Sequence, residues 1–341
     1  MKLISFVVPS YNSEKYLQKC IDSLLLGGDD VEIIIVNDGS KDNTINIANE
    51  YMEKYPSIIK VIDKENGGHG SGVNAGIDNA TGLYFKVVDS DDWVDAAAYK
   101  KVLMTIKEHL SDASSPDMYL TNYVFERLDE GKQYVADYKK RIPINKMISF
   151  EDIKAFGLAE FMIMHSIIYK LDIVKESKVR LPHHTFYVDT IFTFVPLKLV
   201  KSIYYIDCDF YRYYVGRPDQ SVTFKNMTKN YKMQIKVMYE LSMAYSWEDL
   251  KTLPRKQRNF MIHDLIVKSY LTLFYVMAGY NKEKKEAYKE YFDAFKKENR
   301  SLYYKLRYRT YFLFPFTLIL PLRKWVVMTG YKKLMAKTNW N

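Results

Sequence analysis

The chain has 341 residues, enough for one large domain or two ordinary ones, and 48% of them are hydrophobic, which excludes a mostly disordered protein. Its two cysteines, Cys20 and Cys208, provide no disulfide framework and no metal-ligand spacing, and they favour a reducing compartment. The apolar run at the N-terminus, ended by Pro9, is too short for a signal peptide, and we interpret it as a strand.

The net charge of +9 is concentrated at the C-terminal end. Residues 296–341 contain eleven Lys or Arg and one acid, Glu298, so this tail carries +10 and the rest of the chain carries −1. The charge therefore indicates a partner of the tail rather than a partner of the whole chain.

The first hundred residues alternate between short runs rich in Val and Ile and amphipathic stretches. The runs LISFVVP, VEIIIVN, IIKVID and LYFKVV predict buried parallel strands. Residues 14–26, 42–55 and 70–80 predict the helices between them, with Ser13 and Ser40 as N-caps. This alternation predicts right-handed βαβ units and a doubly wound, mostly parallel α/β sheet.

The pattern changes after residue 105. Mixed strands and helices are predicted for residues 106–225, and a helical region follows from residue 226 to 341, ending in the basic, apolar tail. Within the mixed part, the predicted strands are 117–125, 161–169 and 202–207, and the predicted helix is 189–198.

Polar, turn-forming loops follow each of the first four predicted strands. The loops are residues 9–12 (PSYN), 37–40 (NDGS), 65–72 (ENGGHGSG) and 89–92 (DSDD). Ligands of open parallel sheets bind outside the carboxyl ends of the strands. All four loops are expected at that edge, so together they predict one binding site.

Two of these loops leave alternatives open. The acidic residues Asp89, Asp91, Asp92 and Asp95 crowd one turn, and a metal ion, backbone N–H groups or solvent could each offset their repulsion. The glycines of residues 65–72 do not fit a dinucleotide fingerprint. They indicate either a flexible turn or backbone N–H groups that approach a phosphate at a helix N-terminus.

Four quoted segments carry a resemblance to a known family. "FVVPSYNSEKYLQKCIDSLL", "IIIVNDGSKDNT", "NGGHGSGVNAGI" and "KVVDSDDW" resemble the successive signatures of family 2 glycosyltransferases with the GT-A fold. The resemblance is close over about residues 1–105 and loose to residue 225. It implies a GT-A domain whose residues 1–105 bind a nucleotide sugar and whose residues 106–225 bind the acceptor, with residues 226–341 as the helical C-terminal region.

The resemblance also implies roles for individual residues. Tyr11 and the Pro9 backbone would flank a uracil, Asp38 would accept a hydrogen bond from its ring N–H, and Asp89 would hold the ribose hydroxyls. Asp91 would coordinate a Mn²⁺ or Mg²⁺ that bridges the two phosphates, because such hard cations need only one or two protein carboxylates there. The remaining donor-site candidates on these loops are Asn12, Asn66, Gly68, Asn74 and Ser90.

One departure from the family pattern concerns positive charge. Many members carry an arginine in the third loop, where this chain reads Gly72-Val73-Asn74. His69 and Lys86 are the candidates for the missing cation near the donor. A core or turn role for His69 is the equal alternative.

Inverting transfer needs a carboxylate to take the proton of the acceptor hydroxyl. The resemblance places this base at a helix start, where "FYVDTIFTF" offers Asp189, with Val188 replacing a usual acid. Asp189 as a helix N-cap is the alternative, and one residue could serve both roles. His165 is either a core residue or part of the acceptor site, and Arg217 either contacts the diphosphate or belongs to a tyrosine-rich strand.

The tail segment "YFLFPFTLILPL" has twelve residues, well short of the ~20 that span a bilayer. Basic clusters and tryptophans flank it, which favours an interfacial segment on an anionic membrane surface over a core helix. The expected protein is a metal-dependent, inverting transferase that moves a sugar from a UDP-sugar to a glycan or polyprenyl-linked acceptor. It is expected at the cytoplasmic face of the cell membrane, in surface-polysaccharide synthesis.

Two other functions compete with this expectation. A nucleotide-binding scaffold that has lost transfer would keep the fold and the membrane tail. A nucleic-acid-binding protein would use the basic tail, but the tail has no recognisable nucleic-acid motif, so we expect no nucleic-acid partner. The sequence leaves a homo-oligomer open and does not identify the sugar.

Overall fold

The structure, a computed structural model, describes residues 1–157, 160–216, 224–277 and 281–310, together with Trp325 and Thr329. By internal contacts the chain forms two compact units. The first comprises Met1–Lys154 and Met162–Val215, and the second comprises Ala155–Phe161 and the described residues from Gly216 onward.

One mixed sheet organises the first unit. Its strand order is β3-β2-β1-β4-β9-β6-β10-β5, with β7 beside β6 and β8 beside β10. The strand bounds are β1 Ile4–Ser10, β2 Val31–Asp38, β3 Ile59–Lys64, β4 Tyr84–Val87, β5 Trp93–Val94, β6 Met118–Arg127, β7 Lys132–Ala136, β8 Met147–Ile148, β9 Ile167–Lys170 and β10 Ile203–Tyr214.

The N-terminal half of this sheet is parallel. Strand β1 lies between β2 and β4, and β3 pairs with β2 on the other side. All residues of β1 and β4 are buried, which explains their unbroken apolar runs. Helices connect these parallel strands, so their carboxyl ends share one edge of the sheet. The other half is mixed, with β9 antiparallel to β4 and β6 and with β10 parallel to β6.

Helices cover the sheet in the first unit and make up the second unit. The first unit contains α1 Leu17–Leu25, α2 Thr44–Lys54, α3 His69–Asn79, α4 Ala96–Ser111, α5 Leu171–Glu176 and α6 Asp189–Phe194. The second unit contains α7 Phe224–Lys229, α8 Tyr231–Met243, α9 Trp247–Lys251, α10 Arg255–Met277, α11 Lys282–Glu298 and α12 Arg300–Thr310. The predicted doubly wound α/β sheet with a C-terminal helical region is confirmed.

Two predicted strands have different bounds in the structure. Residues 161–169 contain a 3₁₀ turn, Met164–Ser166, before the short strand β9. Strand β10 continues well beyond residue 207, because register shifts between Ile206 and Tyr211 absorb the interruption of its apolar pattern. The prolonged strand carries Tyr211 and Tyr214 beside the loop that follows β4.

Both predicted N-caps are wrong. Helix α1 starts after Tyr16 without a side-chain cap, and the Ser13 hydroxyl instead bonds the Ser90 hydroxyl at 2.7 Å. Helix α2 starts at Thr44, whose N–H donates to the Asp42 carboxylate at 3.1 Å. The serines were predicted from residue type alone, whereas each helix starts a few residues later than the pattern suggested.

One described helix, α10, is long and apolar enough to cross a membrane by length and composition, but 72% of its apolar window is buried. Core helices of soluble proteins pass the same test, so α10 is weak evidence for a membrane span. The predicted interfacial segment, residues 311–322, lies outside the described residues.

Candidate active site

Hydrogen bonds join the predicted loops at the carboxyl edge of the parallel strands. The Asn12 side chain accepts from the Lys41 N–H at 2.8 Å, which joins the first loop to the second. The Ser13–Ser90 hydroxyl pair joins the first loop to the acidic turn after β4. The first, second and fourth loops are therefore joined to one another, as expected from the sheet topology.

Asp38 holds the second and third loops together. Its buried carboxylate accepts from the Gly67 N–H at 2.9 Å, the Gly68 N–H at 2.7 Å and the Lys64 ammonium at 2.6 Å. The Asn66 side chain adds a bond to the Asp38 carbonyl at 2.8 Å. A carboxylate offers about four acceptor positions, so Asp38 keeps about one for a further donor.

These bonds differ from one sequence-based expectation. The amides of Gly67 and Gly68 donate to a protein carboxylate here, whereas the glycine loop was interpreted as a donor of N–H groups to phosphate. What the glycines provide is space. Gly68 has φ +83°, and a Cβ there would lie 3.1 Å from the His184 nitrogen, while a Cβ at Gly70 would lie 2.8 Å from the Leu181 Cβ.

Segment 181–189 lies directly on the glycine loop. The His184 N–H donates to the Gly67 carbonyl at 2.7 Å. Asn74 binds the backbone of Leu181 in both directions, donating at 2.8 Å and accepting at 3.0 Å. Both polar ends of the Asn74 side chain bond this backbone, so Asn74 anchors the segment, and its predicted role in donor binding stays a prediction.

Asp189 follows two unusual backbone conformations. His184 has φ +49° and Tyr187 has φ +65°, both in the left-handed region that ordinary side chains rarely adopt. Val188 is the N-cap residue of α6, and Asp189 is the first helical residue, so the N-cap alternative for Asp189 is wrong. Its half-buried carboxylate lies near enough to His69 to raise the pKa of that imidazole.

His69 and Asp89 form a close pair, with His69 Nε2 2.8 Å from Asp89 Oδ1. Burial alone would lower the pKa of His69, but the charge of Asp89 and the hydrogen bond to it outweigh burial and raise this pKa. Burial likewise opposes ionisation of Asp89, but the charge of His69 keeps the pKa of Asp89 below its ordinary value. The pair therefore places an imidazole with a raised pKa beside the acidic turn.

The acidic turn is a β-turn closed by the Asp92 N–H, which donates to the Asp89 carbonyl at 2.9 Å. Asp92 is 1% exposed, so solvent is not what offsets its charge. Its carboxylate accepts from the Tyr211 hydroxyl at 2.6 Å and from the Tyr214 N–H at 2.8 Å. Burial and the nearby Asp89 charge raise the pKa of Asp92 well above its ordinary value. Asp95 is the N-cap of α4, and its side chain accepts from the N–H groups of Ala97 and Ala98.

Lys86 does not project into the loops. It is fully buried, and its ammonium donates to the carbonyls of His165 at 2.7 Å and Ile167 at 3.2 Å. Burial lowers the pKa of Lys86 to about 7. Of the two candidates for the missing cation, His69 therefore has the better position.

The first unit offers oxygen and nitrogen atoms that fit a divalent cation. Ligand atoms of Asp89, Asp92 and His165 lie within 4.8 Å of one another. The buried Nδ1 of His165 has no hydrogen-bond partner among the residues that the structure describes. Carboxylate and imidazole ligands suit Mn²⁺, so the donor set is compatible with the predicted metal. The sequence indicated Asp91, which is half-buried, and missed Asp92 and His165 as neighbours of such a site.

The other predicted residues have varied positions. Tyr11 is 52% exposed at the rim, while Pro9 is buried in β1. Arg217 lies outside the described residues. Sequence reasoning missed Lys64 and Tyr211. The strand pattern could have identified Lys64, because parallel register pairs it with Asp38 at the ends of β3 and β2. It could not have identified Tyr211, which lies beyond the predicted end of its strand.

Comparison with known proteins places the chain among sugar transferases. The profile of glycosyl transferase family 2 matches residues 5–176, which is just over half of the chain. An uncharacterised glycosyltransferase of Mycoplasma pneumoniae is 32% identical over 65% of this chain and 70% of its own length. The poly(ribitol-phosphate) beta-glucosyltransferase of Bacillus spizizenii is 30% identical over 63% of this chain, but over only 32% of its own length.

Two solved structures share the fold. S. aureus TarS 1–349, in complex with UDP-GlcNAc, has a TM-score of 0.56 at 19% identity and covers 87% of this chain and 92% of its own. The mannosyltransferase PcManGT of Pyrobaculum calidifontis, in complex with GDP-Man and Mn²⁺, has a TM-score of 0.52 at 15% identity and covers 98% and 86%. At these identities the likeness concerns the fold alone, which is of the expected GT-A type. With the family profile and the Mycoplasma relative, it leads to one conclusion: the chain belongs to glycosyl transferase family 2.

Proposed function

We propose that the chain transfers a sugar, with inversion, from a UDP-sugar to a hydroxyl of a glycan or lipid-linked acceptor, with the help of a divalent cation. The observation that carries this proposal is the convergence of Asp38, the His69–Asp89 pair and the Asp189 segment around the glycine loop. These groups come from separate strands and helices, and a purely structural cluster would not need a carboxylate at each of three places.

In the donor site, Asp38 uses its remaining acceptor position for the uracil ring N–H, and Pro9 and Tyr11 flank the ring. Tyr11 is exposed enough to stack on a base, and Asn12 and Ser90 lie on the loops that line it. Asp89 binds the ribose hydroxyls from its place beside His69. The positive charge of His69 serves the donor in place of the missing arginine.

Asp91 is the proposed metal ligand. Asp92 is the weaker choice, because both of its oxygens already accept hydrogen bonds and its side chain is buried. When bound, Mn²⁺ or Mg²⁺ supplies positive charge that stabilises the leaving diphosphate. His165, whose ring lies near Asp89 and Asp92, is a further candidate ligand.

Asp189 is the proposed base. One of its carboxylate oxygens takes the proton of the acceptor hydroxyl while that oxygen attacks the anomeric carbon and the bond to the diphosphate breaks. The start of α6 favours an ionised carboxylate there. The product carries the sugar with inverted configuration, and the proton remains on Asp189 until solvent removes it.

Calorimetric titration of UDP into the full chain tests this proposal, once with Mn²⁺ and once with EDTA. We expect binding that depends on the metal, and weaker binding of GDP, because the proposed role of Asp38 is to accept from the uracil N–H. Asp91→Asn should remove the metal-dependent part of the affinity. Asp112→Asn, which makes the same charge change at the end of α4, is the matched control.

Three results would count against parts of the proposal. Equal UDP affinity with Mn²⁺ and with EDTA would remove the metal from the proposed mechanism. Tighter binding of GDP than of UDP would contradict the proposal that the donor is a UDP-sugar. Absence of nucleotide binding would overturn the proposed function, whereas nucleotide binding without turnover of any UDP-sugar would favour the inactive scaffold.

Surface-polysaccharide synthesis is the proposed process. Relatives of the chain include a minor teichoic acid biosynthesis protein, GgaB, and a putative glycosyltransferase, EpsH, both of Bacillus subtilis. We place the chain at the cytoplasmic face of the membrane, held there by the basic tail. Removal of residues 311–341 should abolish sedimentation with anionic vesicles, and sedimentation unchanged by the truncation would contradict the membrane role.

A further inference from the structure

We propose that Tyr211 and Asp92 are positioning residues that hold the acidic turn in the shape the donor requires, an inference that rests on the proposed donor site. Neither residue needs to touch the nucleotide. Both act through Asp89 and Asp91, which the turn carries.

The Tyr211 hydroxyl bridges the two ends of the turn. It accepts a hydrogen bond from the Asp89 N–H at 3.1 Å and donates one to the Asp92 carboxylate at 2.6 Å. The turn's own backbone bond joins the same two residues. Asp89 and Asp92 are therefore joined twice, once through the backbone and once through the hydroxyl.

Asp92 extends this link to the end of β10. Its other oxygen accepts from the Tyr214 N–H at 2.8 Å, and the Asp95 N–H donates to the Phe210 carbonyl at 2.9 Å. A short antiparallel pairing of β5 with β10 lies between these bonds. The turn is thus attached to β10 at both of its ends, and the buried Asp92 carboxylate makes two of the attachments.

The ring of Tyr211 is fixed independently of its hydroxyl. It stacks on the His165 imidazole with a centroid distance of 4.5 Å and an interplanar angle of 14°. The Lys86 ammonium lies 5.1 Å from the same ring centroid. Replacement of the tyrosine by phenylalanine should therefore leave the ring in place and remove only the bridge.

This arrangement gives a reason why the buried carboxylate of Asp92 follows the two predicted ligands, Asp89 and Asp91. The negative charges of Asp89 and Asp91 repel each other within this four-residue turn, and the repulsion makes the turn more flexible. The bridge fixes the first and last residues, so Ser90 and Asp91 between them have a defined position. Donor binding then loses less conformational entropy, which is the usual gain from preorganisation.

Tyr211→Phe in the full chain tests the inference with two readouts. Hydrogen exchange of a peptide covering residues 89–92, measured without ligand, reports on the turn. Calorimetry with UDP and Mn²⁺ reports on the donor site. We expect exchange and the UDP Kd each to rise about tenfold, the size expected when a hydrogen bond to a charged group is lost.

Tyr99→Phe is the matched control. It also removes a buried hydroxyl, one that donates to the Leu24 carbonyl at 3.1 Å away from the turn. It should lower Tm without changing either readout. Asp92→Asn, which keeps the side-chain size but replaces one acceptor by a donor, should change both readouts in the same direction as Tyr211→Phe.

Each remaining outcome has a definite meaning. If Tyr211→Phe behaves like Tyr99→Phe, the positioning role is wrong. If exchange rises while the UDP Kd with Mn²⁺ stays unchanged, the bridge is structural only and the inference fails. If the wild-type chain binds no nucleotide, the proposed function and the donor role both fail, while exchange still shows whether the bridge holds the turn.

Discussion

Two buried lysines, one in each unit, show different ways to accommodate a charge. Lys86 lies in the sheet of the first unit, where its ammonium donates to two backbone carbonyls. None of the ion pairs in the described part of the chain includes Lys86. Lys268 lies in α10 of the second unit, where it meets Asp264 one helical turn earlier at 2.5 Å.

The difference shows what buried charge can and cannot indicate. In the second unit a local i,i+4 pair neutralises itself within one helix, which is a structural solution. In the first unit the buried or half-buried ionisable groups come from separate strands and helices and meet at one edge of the sheet. Convergence of elements, rather than burial of charge, is therefore the mark of the candidate site.

The largest effect is expected from Asp189→Asn. If the charges of the first unit serve chemistry, this change should lower kcat by a factor of about 10² to 10⁴ while the UDP Kd and Tm stay close to wild type. Asp172→Asn, at the start of helix α5, is the control for a carboxylate in a first helical turn. A kcat near wild type, measured by release of UDP, would exclude Asp189 as the base.

In the second unit, Asp264→Ala is expected to lower stability, whereas Asp189→Asn is expected to lower kcat and leave stability close to wild type. Removal of one partner leaves the Lys268 ammonium buried without its carboxylate, so the free energy of unfolding should fall by roughly 3 to 5 kcal/mol. The double variant Asp264→Leu with Lys268→Met should regain most of this loss. Urea denaturation measures both, and equal losses in the single and double variants would contradict the proposed structural role.

Lys86 should make stability depend on pH. Because its pKa is about 7 in the folded protein and 10.5 ordinarily, the unfolded chain binds more protons between these values, so stability rises with pH across that window. Relative to Lys86→Met, the wild type should gain roughly 3 kcal/mol between pH 7 and 9.5. Urea denaturation of both proteins at the two pH values gives the difference, and a difference that stays constant would disprove a lowered pKa.

The smallest effect is expected from Asn74→Ala. Loss of both bonds to the Leu181 backbone should cost roughly 1 to 2 kcal/mol of stability. It should also lower kcat more than it weakens UDP binding, because the anchored segment leads to Asp189. Asn79→Ala, at the other end of α3, is the control, since its side chain bonds only the helix itself and Lys60 in the described structure. Equal effects of the two variants on kcat would show that anchoring of segment 181–189 does not affect the chemical step.

The sequence allowed prediction of the parallel half of the sheet because its strands β1, β2 and β4 are buried on both faces. Their apolar runs are then continuous, and the polar loops must share an edge. The extension of β10 was not predictable, since an acidic Asp-Cys-Asp interruption is absorbed by a register shift that only the partner strand β6 determines. The role of Asp92 was missed for the same reason, because both of its hydrogen-bond donors lie on that extension.

Asn74 shows a second kind of limit. Its place in a glycine-rich loop suggested a ligand, and only the distant segment that folds back onto α3 reveals its use. Residue type and loop position identify the site, whereas long-range backbone partners decide which of its residues remain available for a ligand.

The two left-handed residues before Asp189 have an evolutionary consequence. His184 and Tyr187 each adopt a backbone conformation that costs an ordinary residue roughly 1 to 2 kcal/mol and costs glycine almost nothing. Glycine at either position is thus a simple route to higher thermostability. A lineage that took this route would lose the imidazole of His184 or the phenol of Tyr187 from the segment that leads to Asp189, so selection for heat tolerance and selection for those side chains would act on the same two codons.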